Sequence, residues 1–155
     1  MATINKIRYL ALVSKMAEKD AITEMKESTL KSADLLIEKV NQIIKQHTKI
    51  KEKIIIAGNG GSAAMASHVS VDFVKAASIR AINFNEADLI TCFANDYGYE
   101  NWVEKALEAY ADNGDLVILI SSSGKSQNIL NAAEKGNEMG LSVITISGFL
   151  MDNPL

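Results

Sequence analysis

The sequence predicts an α/β domain built on a parallel sheet, and three features carry that prediction. Lys53-Ile54-Ile55-Ile56-Ala57 and Leu116-Val117-Ile118-Leu119-Ile120 are short apolar runs without the alternation of a half-exposed strand, as expected of strands covered on both faces. Each runs into a loop of small residues, Gly58-Asn59-Gly60-Gly61-Ser62 in one case and Ser121-Ser122-Ser123-Gly124-Lys125-Ser126 in the other, and then into a helical pattern. From residue 53 onward strand and helix alternate, which calls for right-handed crossovers on a parallel sheet.

Taken in order, Thr3 is read as the cap of a first helix running to about Lys19, with Ile4, Ile7, Leu10 and Ala11 on one apolar stripe. A longer helix, about Thr23 to Gln46, places Leu30, Ala33, Ile37, Val40 and Ile44 at helical spacing. Two readings of these stripes stand open, a core helix pair and a subunit interface. After the strand at Lys53, the glycines allow a sharp turn, and Ser62 is read as the N-cap of a small-residue helix carrying His68 and Asp72. Ile79 to Phe84 is a second short strand, and Asn85 to Ile90 starts a short helix that breaks at Asn95-Asp96-Tyr97-Gly98-Tyr99. A helix from about Glu100 to Tyr110 ends in the turn Asp112-Asn113-Gly114-Asp115. The strand at Leu116 follows, then a helix from Gln127 to Met139 stopped by Gly140, a strand from Leu141 to Ser147, and a tail. The expectation is a single domain over 1–155, with helices in 1–50 and the α/β core in 51–155.

Composition narrows the function classes. A chain of 155 residues buries roughly 70% of its unfolded surface, enough for a core without disulfides. Cys92 is the only cysteine and has no partner within the chain, so a reducing, cytoplasmic location is expected. No apolar run approaches the roughly 18 residues of a membrane span, and the first residues lack a signal-peptide block. Net charge is −3 with lysines interspersed among glutamates, which disfavours nucleic acid as a direct partner.

The two loops at strand ends suit an anion, since in open α/β sheets such loops line the ligand crevice. The free N–H groups and positive dipole end of the following helices favour a phosphate, and Ser121, Ser122, Ser123 and Ser126 add neutral hydroxyl donors. Two nucleotide motifs compete for these residues. Gly124-Lys125-Ser126 resembles the end of a P-loop, but Leu119 stands where the first glycine belongs. Gly58 to Ala63 fits G-x-G-x-x-A, yet the acidic residue that would bind a ribose is replaced by Ile82-Asn83-Phe84-Asn85. His68 and Asp72, four apart, share one helix face. They suit two ligands of a zinc site, a base with its orienting partner, or a simple surface pair.

The motifs Gly58-Asn59-Gly60-Gly61-Ser62, Ala94-Asn95-Asp96-Tyr97-Gly98-Tyr99-Glu100 and Ser121-Ser122-Ser123-Gly124-Lys125-Ser126, in this order and spacing, resemble a sugar isomerase (SIS) domain, and within it the phosphoheptose isomerase branch. The resemblance covers about residues 20 to 150. It implies a three-layer αβα sandwich of flavodoxin-like kind around a parallel, about five-stranded sheet, preceded by an N-terminal helix pair. It also implies a homotetramer with sites at subunit interfaces, and heptose supply for lipopolysaccharide or capsule. By position, the resemblance assigns Asn59, Gly60, Gly61, Ser62, Asn95 and Asp96 to the sugar and Ser121, Ser122, Ser123 and Ser126 to its phosphate. His68 falls on a zinc ligand, and Asp72 falls where the family has a metal-binding glutamate proposed to move the proton between C1 and C2.

Three departures accompany the match. Asp72 is one methylene shorter than the family's glutamate, and Ala76 stands at the family's substrate-contacting arginine. The family's glutamine and second histidine belong to a C-terminal helix beyond Leu155, so residues 1–155 are read as lacking part of the catalytic group. The expected function is aldose–ketose isomerisation of sedoheptulose 7-phosphate through an enediol. The alternative is a non-catalytic phosphosugar-binding or regulatory protein acting through a protein partner.

Overall fold

The computed structural model describes residues 5–7, 27–47, 52–148 and 153–155. Its elements are β1 (Asn5–Ile7), α1 (Glu27–His47), β2 (Ile54–Gly58), α2 (Gly61–Ala77), β3 (Ala81–Asn83), α3 (Ala87–Tyr97), α4 (Trp102–Tyr110), β4 (Leu116–Ser121), α5 (Gln127–Glu138) and β5 (Ser142–Ser147). The five strands form one sheet in the order β1-β5-β4-β2-β3, every pair parallel. This is the α/β class expected from the apolar runs.

The strands alternate between two cores. On one face Ile55, Ala57, Val117, Leu119 and Val143 meet Trp102, Val103 and Leu107 of α4 and Ile129, Ala132 and Ala133 of α5, with Leu89, Ile90 and Phe93 of α3 at the margin. On the other, Ile54, Ile56, Leu116, Ile118 and Ile144 meet Ala66 and Phe73 of α2 and Val40, Ile43 and Ile44 of α1. The β2 and β4 side chains are almost fully buried on both faces, which is why their sequences show no polar alternation. The result is a three-layer sandwich with α3, α4 and α5 on one side and α1 and α2 on the other.

Three boundaries differ from the sequence expectation. Asn5–Ile7 is a strand, not part of a helix, because it pairs with the open edge of β5, Asn5 opposite Ile144 and Ile7 opposite Ile146. Pairing with an available edge overrides local helical spacing. The remainder of that expected helix lies outside the described residues, as do residues 23–26 of the second. In the second difference, α3 runs through Asn95 and Asp96 instead of breaking there. Both side chains are exposed, so neither disturbs the helix, which stops only at Gly98 with its φ of +86°. The third concerns Ser62, which is the second residue of α2 and not its cap. Gly60, at φ +53° and ψ −119°, is the N-cap, a positive-φ backbone that glycine adopts freely.

Beneath the sheet, at the amino ends of β2 and β4, Lys53 Nζ donates to Asp115 Oδ2 at 2.5 Å and to Asp112 Oδ2 at 2.6 Å. The Lys53 backbone N–H donates to Asp115 Oδ1 at 2.8 Å, and the Asp112 N–H to Asp115 Oδ2 at 2.8 Å. Asp115 is fully buried, so these bonds satisfy a charge that water cannot reach.

Candidate functional site

The carboxyl ends of the neighbouring strands β2 and β4 place the two small-residue loops side by side, with Gly58 paired to Ile120. Their approach is close. A Cβ on Gly58 would lie 2.7 Å from Ser62 Cβ and 2.9 Å from the Ile120 carbonyl oxygen, so only glycine lets the start of α2 settle against β4. Ser62 is buried there, its N–H donating to the Asn59 carbonyl at 2.9 Å. No Cβ contact lies within 4 Å of Gly60 or Gly61, which leaves their backbone open to a ligand.

The serine loop is ordered by its own hydrogen bonds. Ser121, buried at the end of β4, donates through Oγ to Ser126 Oγ at 3.2 Å. The Lys125 N–H donates to Ser123 Oγ at 3.2 Å, and the Gly124 N–H to the Ser121 carbonyl at 3.0 Å. Ser122 is exposed, and its carbonyl accepts from the Gly148 N–H at 2.9 Å. Ser126 is the N-cap of α5 without a side-chain capping bond. Its hydroxyl thus stands beside the helix's first N–H groups, an arrangement that suits phosphate oxygens.

Between the loops Asn59, expected at the sugar, pairs with Asn128, an amide that the sequence reading missed. Asn59 Nδ2 donates to Asn128 Oδ1 at 2.8 Å, and Asn128 Nδ2 donates to Asn59 Oδ1 at 2.9 Å. Tyr99 adds its hydroxyl, donating to Asn59 Oδ1 at 3.2 Å. The Gly98–Tyr99 turn therefore reaches the site through Tyr99, whereas Asn95 and Asp96 lie in the last turn of α3. There Asn95 Nδ2 donates to Asp96 Oδ1 at 2.9 Å, and Cys92 Sγ lies 3.8 Å from Asp96 Oδ2.

The residues that would disqualify a dinucleotide reading have other roles. Asn85 Nδ2 donates to the Ala63 carbonyl and to Ser67 Oγ, at 2.8 and 2.7 Å, and Asn83 Nδ2 donates to Ser70 Oγ at 2.8 Å. These side chains fasten α2 to the end of β3.

His68 and Asp72 lie on the outer side of α2, Nε2 to Oδ2 3.4 Å, with side chains 81% and 59% exposed. Asp72 is eleven residues beyond Gly61, about 16 Å along the helix axis. Among the described residues no three His, Cys, Asp or Glu side chains cluster as a metal site would require. The pair offers two donors, which alone do not complete the three or four ligands of zinc.

The same helix exposes Met65, Val69, Val71 and Val74, and α1 exposes Leu35 and Ile37. Among the described residues no helix is long and apolar enough to cross a membrane.

A parallel sheet whose adjacent strands end in two such loops, with Asn59 of the first bonded to Asn128 at the start of α5, defines an α/β domain with a cleft at the carboxyl ends of its strands. The chain belongs to the SIS domain family, whose model matches residues 19–148. It is 38% identical over 136 residues to the phosphoheptose isomerase of Clostridium acetobutylicum, a match covering 82% of this chain and 67% of that protein. It is 33% identical over 143 residues to the phosphoheptose isomerase of Helicobacter pylori strain P12, covering 88% and 70%. Among solved structures it resembles phosphoheptose isomerase GmhA from Neisseria gonorrhoeae at a TM-score of 0.73 and 26% identity, covering 92% of this chain and 77% of that one.

Proposed function

We propose that the protein is a sugar-phosphate isomerase that interconverts sedoheptulose 7-phosphate and D-glycero-D-manno-heptose 7-phosphate. The observation that carries this reading is the paired glycine and serine loops at the ends of β2 and β4, joined by Asn59 and Asn128, in a chain that matches phosphoheptose isomerases. In this reading the hydroxyls of Ser121, Ser122, Ser123 and Ser126 and the N-terminal N–H groups of α5 hold the phosphate. Asn59, Gly60, Gly61 and Ser62 face the sugar, and Asn95 and Asp96 bind its further hydroxyls. A carboxylate then removes a proton from C1 of the ketose, and the enediol is reprotonated at C2 to give the aldose. Asp72 is the proposed base, oriented by His68.

The spacing along α2 bears on assembly. The position of Asp72 about 16 Å along the helix from the loop, with apolar Met65 and Val69 exposed around it, supports a reading in which the pair serves the cleft of a second copy. A homo-oligomer, with a tetramer as the fuller form, is therefore part of the proposal. Zinc enters only as an ion that His68 and Asp72 would bind together with ligands from outside the described residues of this copy. Heptose supply for lipopolysaccharide or capsule, in the cytoplasm, is the setting that this activity would serve.

Incubation with sedoheptulose 7-phosphate, with and without added zinc, tests the reading. Formation of the aldose supports it. The shorter Asp72 and the absence of an arginine at Ala76 favour the binding-only alternative, which tight calorimetric binding without turnover would establish in its place.

A further inference from the structure

Asn128 is 2% exposed, and nothing in the reaction proposed above requires it. A buried primary amide left without partners is costly, yet this one makes both of its bonds to a single side chain. Asn128 donates to Asn59 Oδ1 and accepts from Asn59 Nδ2. The Tyr99 hydroxyl gives Asn59 Oδ1 a second donor. The carbonyl oxygen of Asn59 thus carries two hydrogen bonds and its amide group one, which leaves an N–H as the group that Asn59 can offer a ligand.

The support continues along α5. Asn131, one turn after Asn128, donates through Nδ2 to the Glu100 carbonyl at 2.9 Å and to Asn101 Oδ1 at 3.0 Å. It thereby steadies the turn that carries Tyr99. Ser126, two residues before Asn128, occupies the N-cap position of the same helix. One helix end therefore sets both the phosphate loop and the orientation of Asn59.

We infer that Asn128, with Tyr99, is a positioning residue that fixes the Asn59 side chain as a hydrogen-bond donor toward an oxygen of the sugar. The role rests on the isomerase reading. An N–H held in place toward a carbonyl oxygen complements the negative charge that this oxygen gains as the enediol forms.

The test is a double-mutant cycle on turnover of sedoheptulose 7-phosphate, using Asn59→Ala, Asn128→Ala and the pair, alongside calorimetric affinity for inorganic phosphate. If Asn128 acts through Asn59, Asn128→Ala lowers kcat/KM by roughly tenfold or more, mainly in kcat. Phosphate affinity is unchanged, and the substitution has less than about a twofold further effect in the Asn59→Ala background. Tyr99→Phe removes a hydroxyl from an exposed ring and carries the test should Asn128→Ala fail to fold. It is expected to lower kcat/KM several-fold in the parent and not in Asn59→Ala. Equal losses in both backgrounds, or a loss of phosphate affinity that accounts for the whole effect, would overturn the role and leave the isomerase reading intact. A parent protein without turnover overturns both.

Discussion

Serine hydroxyls in the loop after β4 differ in what they already hold. Ser121 is buried and bonded to Ser126, whereas Ser123 accepts from the Lys125 N–H and Ser126 makes no capping bond. Ser123→Ala and Ser126→Ala should each remove a donor to a charged oxygen, a loss of about 1.5–3 kcal/mol, or roughly ten- to a hundredfold in sugar-phosphate affinity. Calorimetry on the two variants measures this, and denaturation midpoints should scarcely move. At the opposite end of the strands, Asp115→Ala removes one of two carboxylates from a nearly buried ammonium and should destabilise the fold by about 3 kcal/mol or more, read from urea unfolding. Burial alone would lower the Lys53 pKa, but the hydrogen bonds to Asp112 and Asp115 outweigh it and hold the ammonium above its ordinary range. The Lys53 hydrogen bond holds the Asp112 carboxyl below its ordinary range. Its folded pKa being depressed, Asp112 contributes stability that is present above about pH 4, the ordinary carboxylate value, and lost as pH falls through the lower folded value. Asp112→Asn should therefore flatten the acid limb of the stability curve below about pH 4 and leave its slope at neutral pH unchanged.

Glycines in the first loop allow the contribution of an element's packing to be separated from that of its backbone conformation. Gly58→Ala brings a Cβ to 2.7 Å from Ser62 Cβ of α2 and 2.9 Å from the Ile120 carbonyl of β4, so α2 must move away from β4, at about 1–3 kcal/mol and with loss of ligand affinity. Gly60→Ala meets no atom within 4 Å but strains a φ of +53°, at about 1–2 kcal/mol, with the loops still in register. Unfolding and binding measured on both variants separate the two effects. The strands β2 and β4 were legible in the sequence because burial on both faces writes an uninterrupted apolar run, and the loops were legible because glycine and serine cluster after them. The start of α2 was misread because Ser62 is the residue type that caps helices, while the backbone turn falls on Gly60. Asn128 was missed because its partner is 69 residues away. A signal existed, since Asn128 lies in line with the buried Ala132 and Gly136 on α5, where a polar residue must find a bond. Lys53 and Asp115 became a pair only once β2 and β4 were adjacent, which periodicity along one strand does not reveal.

For the whole molecule, the family match and the sandwich agree with what the three motifs implied, while assembly and chemistry rest on surfaces that one chain leaves open. α1 exposes Leu35 and Ile37, and α2 exposes apolar residues around His68 and Asp72. Light scattering at micromolar concentration should therefore give a dimer or tetramer, and Leu35→Glu with Ile37→Glu should shift it toward smaller species while the fold persists. A monomeric parent would contradict a cleft shared between copies. In the proposed reaction the cleft moves a proton between adjacent carbons of a phosphorylated heptose. Incubation with sedoheptulose 7-phosphate in D2O, followed by proton NMR, tests it most directly. Aldose should form and carry deuterium at C2, with deuterium also at C1 of the ketose, all diminished in Asp72→Asn. Tight binding of the sugar phosphate with neither aldose formed nor deuterium at either carbon would contradict it.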